Sequence, residues 1–126
     1  MEARVLEALK ASIEKWKKNA EAESFSDVVI TASGCPLCQM FMLPASIDLR
    51  DRCKGCPVFE RTRVMGCGNT PYDDADEAHI QWETAIDLEE DEGPPRAYFR
   101  ECAKEELEFL ISLLPDAERA NYEEMK

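Results

Sequence analysis

Ser33-Gly34-Cys35-Pro36-Leu37-Cys38 and, with fourteen residues between the two cysteine pairs, Cys53-Lys54-Gly55-Cys56-Pro57-Val58 decide how the middle of this chain folds. Each C-x-x-C makes a tight knuckle that aims two sulfurs at one point, and the spacer is long enough to bring the knuckles face to face. This is the ligand type and spacing of a tetrahedral thiolate site. Cys35, Cys38, Cys53 and Cys56 are the expected ligands and zinc the expected ion. Four thiolates close the coordination shell, so such a site orders a fold and leaves no open position for chemistry.

Cys67 lies between Gly66 and Gly68, whose freedom lets the backbone turn around a metal, and it is the alternative fourth ligand in place of Cys53. Arg50, Arg52, Lys54, Arg61 and Arg63 lie near the second pair and suit a second shell that offsets the negative charge of four thiolates. An iron–sulfur cluster is the alternative group, although the spacing matches neither the bacterial nor the plant-type ferredoxin pattern. His79, the sole histidine, falls on an apolar helical stripe and reads as a core residue. Cys102 lies on another such stripe and reads as a buried, inert thiol.

The chain has 126 residues with 27 acidic and 15 basic side chains, a formal charge of −12. That length suits one domain, divided into an amino-terminal helix (1–23), a metal-knuckle region (24–71), a helical pair (72–114) and a polar tail (115–126). The charged amino terminus does not resemble a signal peptide, and no apolar run approaches the roughly 18 residues of a membrane span. The expected location is therefore the cytoplasm, where thiols stay reduced and available to metal. The acidic balance argues against direct contact with nucleic acid, which needs clustered Lys and Arg, and is compatible with a protein partner that has a basic surface.

Apolar spacing predicts a first helix over residues 2 to about 22, with Leu6, Leu9, Ile13 and Trp16 on one face. Ser24 to Ser33 is β-prone through Val28, Val29, Ile30 and Thr31. A turn of helix is expected at Gln39 to Met42, broken by Pro44, and a second short piece at Ile47 to Arg50. Residues 53–71 show little period, so their order is expected to depend on metal. A helix over 72–90 carries the stripe Tyr72, Ala75, His79, Trp82 and Ile86. After the breaker Asp91-Glu92-Gly93-Pro94-Pro95, a helix over 95–114 carries Phe99, Cys102, Ala103, Leu107, Leu110, Leu113 and Leu114. The expected fold is mainly α with a zinc-knuckle loop region, or a small α+β variant with one short strand or hairpin near the metal.

Between Asp73 and Glu92 there are ten carboxylates and no Lys or Arg. Asp87, Glu89, Glu90, Asp91 and Glu92 crowd toward the predicted carboxyl end of a helix, where the dipole disfavours anions. That cost marks them as the candidate partner-binding residues. A row of carboxylates can imitate a phosphate backbone.

Two resemblances bear on function. Val28 through Cys38 resembles the strand and Cys-Pro-x-Cys turn of glutaredoxins, which implies a thiol–disulfide redox role for Cys35; the second C-x-x-C and the helical remainder depart from that family. The order C-P-L-C, then Cys53-Lys54-Gly55-Cys56-Pro57-Val58, then Cys67, then Thr70-Pro71-Tyr72 resembles a group of small uncharacterised cysteine-rich phage and prophage proteins, over roughly residues 33–72. A small acidic protein of that type implies non-enzymatic binding and inhibition of a host protein, with a nucleic-acid-binding defence component as one target class reached by mimicry. The alternatives are the glutaredoxin-like redox role and an iron–sulfur electron carrier.

Overall fold

A computed structural model describes residues 1–30, 35–41, 53–63 and 70–125, with side chains through residue 122. The assigned elements are helical: α1 (Ala3–Ala20), α2 (Pro36–Phe41), α3 (Pro57–Thr62), α4 (Tyr72–Asp87), α5 (Gly93–Ser112) and α6 (Asp116–Arg119), with 3₁₀ turns at Phe25–Asp27 and Ala120–Met125. Among the described residues there is no strand, and no helix is long and apolar enough to cross a membrane.

α5 is the spine, packing against both α1 and α4. Its Phe99, Cys102, Ala103, Leu107, Leu110 and Ile111 are buried at the three- and four-residue steps that put them on one side of a helix. Pro94 and Pro95 sit in its first turn, where backbone N–H groups have no helical acceptor and proline costs nothing. α1 contributes Leu9, Ile13 and Trp16 to the same core, and Lys17 and Lys18 in its last turn complement the helix dipole.

α4 is rotated relative to the expected stripe. Its buried residues are Ala75, Ala78, Trp82 and Ala85, while Ile86 is exposed and His79 lies at the flank. Trp82 sets the rotation: its ring is wholly buried, 5.7 Å from Phe99 and 5.5 Å from Phe25 between centroids. With Trp82 inward, the remaining inward positions must be small for α4 to approach α5, and three alanines fill them. A stripe drawn through the largest side chains misses this.

The expected strand before the first cysteine pair is not formed in the described part. Val28 is extended, and at Val29 and Ile30 side chains take the place of a neighbouring strand. The buried Asn19 amide donates to the Val29 carbonyl at 2.9 Å and accepts from the Val29 N–H at 3.1 Å. The Tyr72 hydroxyl donates to the Ile30 carbonyl at 3.1 Å. The β-branched run supplies the extended backbone, but with both sides satisfied by α1 and α4 no sheet is needed.

Pro57–Thr62, within the stretch read as lacking period, is a helix. Pro57 starts it and Arg63, at φ 60°, ends it in the left-handed region. Six residues are too few to display periodicity. The expected helical piece at Ile47 to Arg50 lies outside the described residues.

Candidate metal centre

Both C-x-x-C pairs sit at the starts of short helices. Cys35 immediately precedes α2, and its carbonyl accepts the Gln39 N–H at 2.9 Å; Cys38 lies in the first turn. Cys56 caps the start of α3, with Cys53 one tight turn before it, closed by the Cys56 N–H to the Cys53 carbonyl at 3.0 Å. Gly55 stands at φ +86°, and a Cβ there would meet the Phe41 ring at 3.3 Å, so both conformation and space call for glycine. The Cys53 N–H donates to the Phe41 carbonyl at 2.8 Å, which ties the end of α2 to the second pair.

The four cysteines line one cavity of about 20 Å³, walled by Trp16, Leu37, Phe41, Val58 and Leu110. A space of that size holds a single water-sized sphere. Cys35, Cys53 and Cys56 are buried, Cys38 is half-buried, and none of the four is in a disulfide. The backbone amide of Cys38 beside Cys35, and those of Val58 and Phe59 beside Cys56, lower the cost of a thiolate, although Cys56 makes no side-chain capping hydrogen bond to α3.

In the thiol form Cys35 and Cys56 oppose ionisation. A hydrogen bond with the Cys38 thiol, then burial, pushes Cys35 far up; burial pushes Cys56 up, and Cys53 and Cys35 add to it. Among the described residues no three His, Cys, Asp or Glu side chains stand as a metal cage. Ligation thus requires the sulfurs to lose their protons and draw onto one ion.

The floor of the cavity holds a residue that the cysteine spacing did not point to. Glu106, 2% exposed, lines it from α5. Burial, aided by the charge of Cys35, pushes its carboxyl up to about 8, against the Thr70 hydroxyl, the Tyr72 N–H and Lys15. Thr70 Oγ1 donates to Glu106 at 3.4 Å and accepts from the Tyr72 N–H at 3.1 Å. Tyr72 also packs edge-on against Trp16, with ring centroids 6.0 Å apart. Thr70-Pro71-Tyr72 therefore joins the start of α4 to α1, to α5 and to the segment entering the first cysteine pair. A Glu on the inward step from Cys102 and Ala103 was the readable signal for Glu106.

The expected second shell is only partly placed. Arg63 pairs with Glu60 at 3.3 Å instead of turning to a sulfur, and Lys54 and Arg61 are exposed. The cation whose charge reaches Cys35 and Glu106 is Lys15 of α1, held over the Trp16 ring at 5.4 Å from its centroid. Arg50, Arg52 and Cys67, the alternative ligand, lie outside the described residues. His79 stacks on Phe25 at 4.5 Å and does not line the cavity, and burial lowers its pKa. Cys102 is buried, and burial raises its thiol.

The acidic run sits elsewhere, on the turn from α4 to α5. Glu90 N–H to the Ala85 carbonyl at 2.8 Å and Glu89 N–H to the Ile86 carbonyl at 3.1 Å close α4, with Glu89 at φ 55°. This is a Schellman end with a glutamate at the position glycine favours. Asp91 accepts the Gly93 N–H at 2.9 Å, and Glu92 accepts the Trp82 indole N–H at 3.0 Å. The electrostatic cost expected for this run holds for Asp87, Glu89 and Glu90, which crowd the carboxyl end of α4, and not for Asp91 and Glu92, which lie at the start of α5, where anions are favoured. Asp87, Glu89 and Glu90 remain exposed, and among the described residues they form no ion pair.

No family model matches the chain, and no curated protein or solved structure matches it.

Proposed function

We propose that this is a non-enzymatic, zinc-stabilised acidic protein that binds and inhibits a host protein with a basic surface. The observation that carries the metal half is that both C-x-x-C pairs line one cavity between α1 and α5. Cys35, Cys38, Cys53 and Cys56 hold the ion, with Cys67 the alternative to Cys53, and the ion supplies cohesion rather than chemistry. Zinc is preferred to an iron–sulfur cluster because the cysteine spacing matches neither ferredoxin pattern. A glutaredoxin-like role needs an activated Cys35, and the burial and Cys38 contact that raise that thiol act against it.

The binding half rests on charge and on the resemblance to small phage proteins. Asp87, Glu89 and Glu90 form the contact, with Asp91 and Glu92 holding the turn that presents them. Proteins that bind nucleic acid are the partner class with the complementary surface, and the site of action is the host cytoplasm.

Elemental analysis and a visible spectrum of untagged protein test the metal half. About one zinc per chain without colour is expected, lost on Cys38→Ser or Cys56→Ser; metal-free wild-type protein would overturn it. For the binding half, wild-type protein is expected to capture from host extract a partner that an Asp87→Asn, Glu89→Gln, Glu90→Gln variant fails to capture. Equal capture by the two would contradict it.

A further inference from the structure

α4 and α5 bury their inward faces against each other and the core, yet the outward side of the same pair carries large apolar residues. Ile80 is 51% exposed, Leu88 61% and Tyr98 42%. Ile80 and Tyr98, with Pro94 and Pro95, line an open groove of about 700 Å³ between the two helices. Glu77, Glu90 and Asp91 stand on the same groove. No Lys or Arg occurs from Val64 through Pro95, and among the described residues Glu77 and Glu90 form no ion pair. The result is an apolar floor in a one-signed field.

We propose that the α4–α5 groove is the docking surface for a basic amphipathic helix of a partner protein, with an apolar side chain seated on Ile80 and Tyr98 and Lys or Arg facing Glu77, Glu90 and Asp91. The proposal rests on the binding role above and adds the chemistry of the bound segment. Charge complementarity selects the occupant. A second copy would set a chain of charge −12 against another, and anionic lipid and nucleic acid are repelled by the same rim. A groove between two helices accepts a third helix through a few apolar anchors. A purely electrostatic mimic of nucleic acid has no use for Ile80 and Tyr98, so the apolar floor separates this mode from mimicry.

Two short synthetic helical peptides test it: one with a Leu/Trp stripe opposite a Lys face, and one with the stripe replaced by Ser. Binding is read by fluorescence anisotropy and located by amide shifts in NMR spectra. The striped peptide is expected to shift amides around Ile80, Thr84 and Tyr98. Ile80→Ser, a change at an exposed position, should weaken it by about tenfold, as should loss of the stripe. Equal affinity for both peptides, insensitive to Ile80→Ser but reduced by Glu89→Gln with Glu90→Gln, would overturn the groove and leave the acidic contact standing. No binding of either peptide would overturn both. A dimer in sedimentation that Ile80→Ser dissolves would assign the groove to a second copy and overturn the proposal.

Discussion

The α1–α4–α5 core and the cysteine segments Cys35–Phe41 and Cys53–Arg63 are built on different physics. The three long helices bury continuous apolar faces, and interdigitating Trp82, Phe99, Leu9, Ile13 and Ile111 leave little to be supplied from outside. The cysteine segments form two six-residue helices, below the length at which a helix holds itself together in water. They lean on the core through Leu37 and Val58 and turn their sulfurs toward one cavity. The long helices are specified by packing, whereas the short cysteine segments would, on the proposed function, be completed by an ion.

The largest effect should come from breaking the packed half. Trp82→Ala removes a wholly buried ring and the indole donor to Glu92, at a cost of about 3–5 kcal/mol. Denaturant unfolding should show a loss of the same size with metal and with chelator, because the cavity created is not at the cysteine site.

Next comes the group between the two halves. Glu106 has its pKa raised from 4.5 to about 8 on folding. The folded state therefore holds a proton that the unfolded state has released between those values. The contribution of Glu106 to the stability of the metal-free protein is full below about pH 4.5 and is lost as pH rises through about 8. Glu106→Gln should flatten that dependence and stabilise the chelated protein at neutral pH. Chemical denaturation at stepped pH measures it, and an unchanged slope would count against the burial described for Glu106.

Asn19→Ala strips the Val29 N–H and carbonyl of their partners and should cost about 2 kcal/mol. It acts on the lead-in to Cys35, so zinc affinity is expected to fall as well, whereas Trp82→Ala lowers stability without that coupling. The smallest effect is at the acidic turn. Glu89→Gly relieves a left-handed glutamate and should stabilise by about 1 kcal/mol in thermal unfolding.

The two halves also differ in how they read from sequence. α1 and α5 were legible because their large apolar residues repeat over four or more turns. α4 was legible as a helix but not in its rotation, since its inward face is made of alanines. The cysteine pairs were legible as a set because the C-x-x-C spacing is itself the geometry, while α3 was not, being too short to carry a period. The strand reading of Val28 to Ile30 failed because β propensity specifies an extended backbone and not its partner, which here is the Asn19 side chain. Glu106 became visible as part of the cavity, and Lys15 as a cation whose charge reaches it, only when α1 and α5 were brought together.

Amide hydrogen exchange of the purified protein, with and without a zinc chelator, tests the central claim most directly. The account predicts that amides of Pro36–Phe41 and Cys53–Thr62 lose protection on chelation while those of α4 and α5 retain it. Protection that is unchanged throughout, or lost equally from both halves, would contradict a cysteine region organised by an ion that the helical core does not need.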